Sequence, residues 1–220
     1  MPSTIQAVTF DLDGLMFNTE LLYERVMRQL LEKRSKPFQQ ELLDQMMGRP
    51  GIIALGILRE WHKLEETVED IYADSDSIFL DLLDRELAPM PGLVELLAAL
   101  ETHDIPKAIA TSSRKPIVER MLDHFGWRPR FNFILTSADV LHGKPNPEIY
   151  LKAAAQHGIE PAAMLVLEDS HNGCRAAIDA GAHAVAVPGD HSRRHDFAGA
   201  QFIADTLADR RIYELLGIHG

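Results

Sequence analysis

The spacing of apolar positions changes twice along the chain. Ile5 to Phe10 is a short, largely apolar run that stops at Asp11-Leu12-Asp13-Gly14; its β-branched content and terminating Gly predict a buried strand. From Thr19 to about Leu87 the spacing is helical. Leu22, Val26 and Leu30 fall on one segment, Leu42, Leu43 and Met46 on a second, and Ile71, Ile78, Phe79 and Leu82 on a third. After Pro89-Met90-Pro91-Gly92 the pattern alternates. It predicts helices over 93–100, 115–125, 147–157, 172–180 and 207–216, and strands over 106–110, 131–135, 164–167, 184–187 and 202–203.

Strands alternating with helices imply an α/β fold: an open, mostly parallel, Rossmann-like sheet with helices on both faces. The strand before residue 14 must join that sheet, because a lone strand is not stable. The helical stretch is then a small all-helical cap inserted after the first strand. The expected domains are 1–15 with 90–220 for the α/β core and 16–89 for the cap, with hinges near Leu15–Asn18 and Ala88–Gly92.

Composition narrows the partners. The 220 residues are 46% apolar and 25% charged, with 14 Gly and 12 Pro, which is a folded globular composition with material for a sizeable core. With 22 basic and 33 acidic residues the net charge is −11, so a general basic field for nucleic acid or membrane surfaces is absent. An anionic substrate must be held by a local device. The one cysteine, Cys174, can build neither an intrachain disulfide nor a four-cysteine zinc site. No window approaches the roughly 18 apolar residues of a spanning helix, and the start lacks a secretory pattern. A cytoplasmic location follows as the expectation, and an acidic chain of this size is compatible with a monomer.

Ligands of open parallel sheets bind beyond the carboxyl ends of the strands. The predicted strands deliver Asp11 and Asp13, then Thr111, Ser112 and Ser113, then Glu168, Asp169 and Ser170, with Gly143-Lys144-Pro145 in the loop after the third. Several carboxylates converging beside one Lys call for a cation. Oxygen ligands without His or Cys suit Mg²⁺. A divalent ion, a fixed Lys and small donors make a cradle for a phosphoryl group. One carboxylate can attack phosphorus, and another two residues away can serve as acid and then base.

These residues resemble a known family. Asp11-Leu12-Asp13-Gly14, Thr111 after an apolar strand, Lys144 in Gly143-Lys144-Pro145-Asn146-Pro147, and Glu168-Asp169-Ser170 followed by Gly173 and Ala176-Ala177 look like the four motifs of the haloacid dehalogenase-like superfamily. The opening Asp13 to Glu20 and the helical insertion resemble its β-phosphoglucomutase-like branch. The resemblance implies Asp11 as nucleophile and Asp13 as acid/base, its main-chain carbonyl on Mg²⁺. It implies Asp169 and Glu168 at the metal beside Asp11, and Thr111, the Ser112 N–H and Lys144 on the phosphoryl group.

The expected activity is therefore Mg²⁺-dependent hydrolysis of a small phosphorylated metabolite, a phosphosugar or similar phosphomonoester, through an aspartyl-phosphate. A phosphosugar mutase is the enzymatic alternative, although Tyr23 stands where the resemblance leads one to expect that enzyme's gating His. A receiver-like phospho-Asp signalling module is the non-enzymatic alternative; the insertion of about 70 residues does not fit so compact a switch. Arg49, in Gly48-Arg49-Pro50, and Arg114 are candidates for a second anionic group of the substrate. His191 and His195 have helical metal-site spacing, but Arg193 and Arg194 between them oppose a cation.

Overall fold

A computed structural model describes residues 5–46 and 51–218, without the side chain of Asp44. The chain divides into two compact units, Met1–Asn18 with Ala88–Gly220, and Thr19–Leu87.

The first unit is a five-stranded parallel sheet of order β3-β2-β1-β4-β5, built from β1 (Ala7–Phe10), β2 (Lys107–Ala110), β3 (Ile134–Leu135), β4 (Met164–Glu168) and β5 (His183–Ala186). Every residue of β1, β2 and β4 is buried, as an apolar run demands when helices cover both faces. Those helices are α5 (Leu93–Thr102), α6 (Lys115–His124), α7 (Glu148–His157), α8 (His171–Asp179) and α9 (Arg210–Leu215). Connections run outward from β1 to β2 and β3 on one side, and to β4 and β5 on the other. The strand order therefore reverses beside β1, where such sheets open a crevice for ligands.

The register fixes what meets there. Phe10 pairs with Ile109 on one side and Leu167 on the other. The next residues, Asp11, Ala110 and Glu168, consequently emerge level with one another. The apolar residues behind them seal the crevice floor: Phe10, Ile109 and Leu167 are wholly buried.

The second unit contains α1 (Thr19–Lys33), α2 (Gln40–Met46), α3 (Gly51–His62) and α4 (Val68–Glu86). The α1 stripe Leu22, Val26 and Leu30 is buried, as are Ile71, Phe79 and Leu82 of α4 and Leu42, Leu43 and Met46 of α2; Ile78 is only half-buried. Thr67 caps α4 in a reciprocal pair with Asp70. Arg34, its side chain 7% exposed, meets Glu66 at 2.8 Å and Asp74 at 2.7 Å. The helix α3 has no counterpart among the expected apolar stripes. Its Ile52-Ile53-Ala54-Leu55 run is apolar on every side, so no helical face stands out, yet Ala54, Leu55 and Leu58 are the residues it buries.

Several boundaries move. The two units meet at 18/19 and 87/88, at the outer edges of the expected hinges Leu15–Asn18 and Ala88–Gly92. Backbone pairing fixes these points: Met90 N–H donates to Met16 O at 2.8 Å, Asn18 N–H to Ala88 O at 3.1 Å, and Ala88 N–H to Asn18 Oδ1 at 2.8 Å. Phe17 stacks on Phe125 and Trp127, with ring centroids at 5.4 and 5.8 Å. Gly92, at φ 86°, starts α5; a Cβ there would lie 2.2 Å from Ala208 N. The predicted strand at 202–203 reduces to one bridge, Ala186 to Ile203, since a single residue pair aligns before the chain turns away. The last helix begins at Arg210, not 207, because the Asp209 side chain accepts from Arg211 N–H and caps it there.

His157, the last residue of α7, lies against the Phe133 ring at 4.6 Å and 3.5 Å from Thr9 Oγ1. Burial pushes its pKa down from 6.5 to about 4. Between those values the unfolded chain binds a proton that the folded chain refuses, so stability is full above about pH 6.5 and falls as pH drops toward 4. His157→Phe is expected to lessen the decline in urea midpoint between pH 6.5 and pH 4.5; an unchanged decline would refute this assignment.

Candidate active site

The site is assembled from three strand ends and one loop. Asp11 is fixed at the end of β1 by its N–H, which donates to Leu167 O at 3.0 Å, and it is 7% exposed. Lys144 arrives from the β3–α7 loop, whose shape is set locally. Glu148 accepts from Leu141 N–H at 3.1 Å and His142 N–H at 3.0 Å, while Asn146 Oδ1 accepts from Glu148 N–H at 3.0 Å. The Thr136–Asp139 capping pair holds the start of the same loop.

Lys144 Nζ donates to Asp11 Oδ1 at 2.5 Å, to Ala110 O at 2.9 Å and to Glu168 Oε1 at 2.6 Å. An ammonium has three protons, so all are engaged. Glu168 is completely buried and accepts four donors. Tyr150 Oη at 2.6 Å and Lys144 take Oε1, and Ser170 N–H at 3.3 Å and Oγ at 3.0 Å take Oε2. Ser170 Oγ also accepts from Gly173 N–H at 3.1 Å, capping α8.

Asp11, Glu168 and Asp169 present carboxylate oxygens that all lie within 4.8 Å of one another. Three buried carboxylates against one ammonium leave an uncompensated negative charge. Burial accordingly drives the Asp11 carboxyl up to about 8; Lys144 pulls it down, while Glu168 and Asp13 push it further up. Burial acts to lower the Lys144 pKa, but Asp11 and Glu168 outweigh it and raise the value above the ordinary lysine range.

Asp13 belongs to a separate group of contacts. Its Oδ2 accepts from Ser113 Oγ at 2.6 Å and Thr111 Oγ1 at 3.4 Å, and Thr111 Oγ1 accepts from Ser113 N–H at 3.0 Å. Its Oδ1 is buried without a hydrogen-bond partner. Such an atom is costly unless something binds it.

Of the residues expected from sequence, Asp11, Lys144, Glu168 and Asp169 converge, and Thr111 and Asp13 meet beside them. Ser112 and Arg114 are exposed ahead of α6. Arg49 lies outside the described residues. His191 and His195 sit in turns, outside the only carboxylate, His or Cys cluster found among the described residues. Cys174 is packed with Ala186 and Phe197. Sequence reasoning missed the grip of Ser113 on Asp13 and that of Tyr150 on Glu168. The clue to the latter was a phenol at a buried position of α7, since a buried hydroxyl must find a partner.

A five-stranded parallel sheet interrupted after its first strand by helices, with a lysine among buried carboxylates at its carboxyl edge, defines a phosphoryl-transfer type of hydrolase scaffold. The family model described as haloacid dehalogenase-like hydrolase matches residues 8–187, and the chain belongs to that family. It is 34% identical over 206 residues to a protein of Drosophila melanogaster named probable pseudouridine-5'-phosphatase, covering 91% of this chain and 89% of the relative. It is 30% identical to the bifunctional riboflavin kinase/FMN phosphatase of Arabidopsis thaliana over 93% of this chain, and spans 54% of that longer protein. The crystal structure of CbbY from Rhodobacter sphaeroides in complex with phosphate has a TM-score of 0.77 at 28% identity, over 93% of this chain and 96% of the other. A mutant of that protein has been solved with xylulose-(1,5)bisphosphate.

Gly173 tests the packing beneath the site. A Cβ there would fall 1.8 Å from Glu168 Oε1, and Glu168 can retreat only by giving up its bonds to Lys144, Tyr150 or Ser170. Gly173→Ala should lower stability by about 2–3 kcal/mol or more, read as a shifted urea midpoint. A variant as stable as the parent would mean that Glu168 is not held as described.

Proposed function

We propose that this hydrolase is a Mg²⁺-dependent phosphatase of small phosphorylated metabolites, phosphosugars or similar phosphomonoesters, acting through an aspartyl-phosphate on Asp11. The observation that carries the reading is the Lys144 ammonium held between Asp11 and Glu168 in a pocket with excess buried negative charge. The phosphatase names of its relatives, and the phosphate and bisphosphate ligands of CbbY, support the same chemistry.

The donor set fits a magnesium ion: oxygen ligands only, three carboxylates within reach of one another, and an orphaned Asp13 oxygen near by. Asp11 and Asp169, with the Asp13 main-chain carbonyl and Glu168 in support, would hold it. When bound, the ion supplies positive charge that keeps Asp11 ionised and neutralises phosphoryl oxygens.

Asp11 Oδ attacks phosphorus, forming the O–P bond as the bond to the alcohol oxygen breaks. Asp13, entering as the carboxylic acid, gives its proton to that oxygen, and the alcohol leaves. Asp13, now a carboxylate, takes a proton from water, whose oxygen attacks the phosphorus of the Asp11 acyl phosphate. Inorganic phosphate departs, Asp11 is regenerated and Asp13 is again protonated. Thr111, the Ser112 N–H and Lys144 hold the phosphoryl oxygens through both halves. Ser113 steadies Asp13 between its two roles. Tyr23 weighs against the mutase alternative: its ring stacks flat on Phe79 at 4.7 Å, and a phenol is not the basic group a gating His would provide.

An aryl phosphate assay tests the reading. Turnover should require Mg²⁺ and cease with chelator. Asp11→Asn should lose roughly 10³-fold or more, and Asp13→Asn about 10²- to 10⁴-fold. Metal-independent turnover, or an Asp11→Asn protein at full rate, overturns the proposal. Separately, Mg²⁺ should raise the thermal midpoint of the wild-type protein, and Asp169→Asn should abolish that rise.

A further inference from the structure

We infer that Tyr150 is a positioning residue for the reaction, acting through Glu168 to fix the Lys144 ammonium; the inference rests on the proposed phosphatase reading. The phenol is completely buried in α7, beneath the site, in a cluster that includes Ala108, Ala110, Ala153 and Ala176. Those small side chains clear the volume that its ring fills. A Phe would fill the same volume without bringing a polar atom into the core. The hydroxyl is therefore the part that packing does not explain.

That hydroxyl donates at 2.6 Å to Glu168 Oε1, the oxygen that also accepts from Lys144 Nζ at 2.6 Å. The same lysine lies 5.0 Å from the centroid of the Tyr150 ring, so the phenol borders the ammonium with its face and anchors its counter-ion with its edge. Among the described residues, the other Glu168 oxygen is held by Ser170. Rotation of the carboxylate about its terminal torsion, which is intrinsically broad, is thus opposed on one side by Ser170 and on the other by Tyr150. Remove the phenolic donor and Oε1 is held by Lys144 and no longer from beneath. Lys144 keeps its bond to Ala110 O but loses the steadied carboxylate on the side facing Asp11, and small displacements of a charge that must stabilise a transition state are expensive in rate.

The test is aryl phosphate turnover with saturating Mg²⁺ in the wild-type protein, Tyr150→Phe, and a protein carrying 4-fluorophenylalanine at position 150, which occupies the hydroxyl's space without donating. Both variants should lose about 5- to 20-fold in kcat with KM within about twofold. The inhibition constant for orthovanadate should rise in step with the loss in kcat/KM, because a trigonal-bipyramidal anion draws on the same ammonium. An amine donor, 4-aminophenylalanine at position 150, should restore kcat to within about threefold of wild type. Wild-type kcat in either donor-less protein overturns the inference, as does a loss confined to thermal stability or one that 4-aminophenylalanine fails to restore. If Tyr150→Phe does not fold, the fluorinated protein decides alone. A wild-type protein without Mg²⁺-dependent turnover would instead refute the phosphatase reading, and this inference with it.

Discussion

The structure turns on one unequal balance: a single ammonium among buried carboxylates at the edge of a parallel sheet. Burying Asp11, Glu168 and Asp169 together is unfavourable in isolation, and Lys144 compensates only part of it. The deficit prepares the site to accept positive charge.

Around that balance, the two carboxylates of the first strand end are separated by environment although only Leu12 stands between them. Asp11 faces the ammonium, and Asp13 faces the hydroxyls of Thr111 and Ser113. Residues two apart in an extended chain point to the same side, so both remain within the crevice. The two carboxylates thus rest against different partners at one strand end.

Much of this was legible in the chain itself. Motifs placed after apolar runs put Asp11, Asp13, Thr111, Lys144, Glu168 and Asp169 at one sheet edge, where the structure brings them together, because a parallel sheet gathers strand ends whatever the intervening distance. The alternation after residue 90 gave the fold class for the same reason. What escaped depends on register and depth, which periodicity does not encode. Ser113 and Ser112 are neighbours in sequence, and only the path of the loop decides that the former meets Asp13 and the latter faces solvent. Tyr150 reads as one more apolar position of α7, and its hydroxyl acquires meaning only through the Glu168 beside it. The α3 helix was hidden by the uniformity of its own apolar run.

The pairing of Asn18 with Ala88 brings the two ends of the helical insertion to neighbouring points on the α/β unit. A segment that departs and returns through one narrow gate makes little demand on the scaffold beyond that gate. Such a segment can be exchanged, enlarged or pruned as a cassette while the sheet stays untouched. Phe17, clasped between the gate and the rings of Phe125 and Trp127, is the seam such grafting would have to preserve.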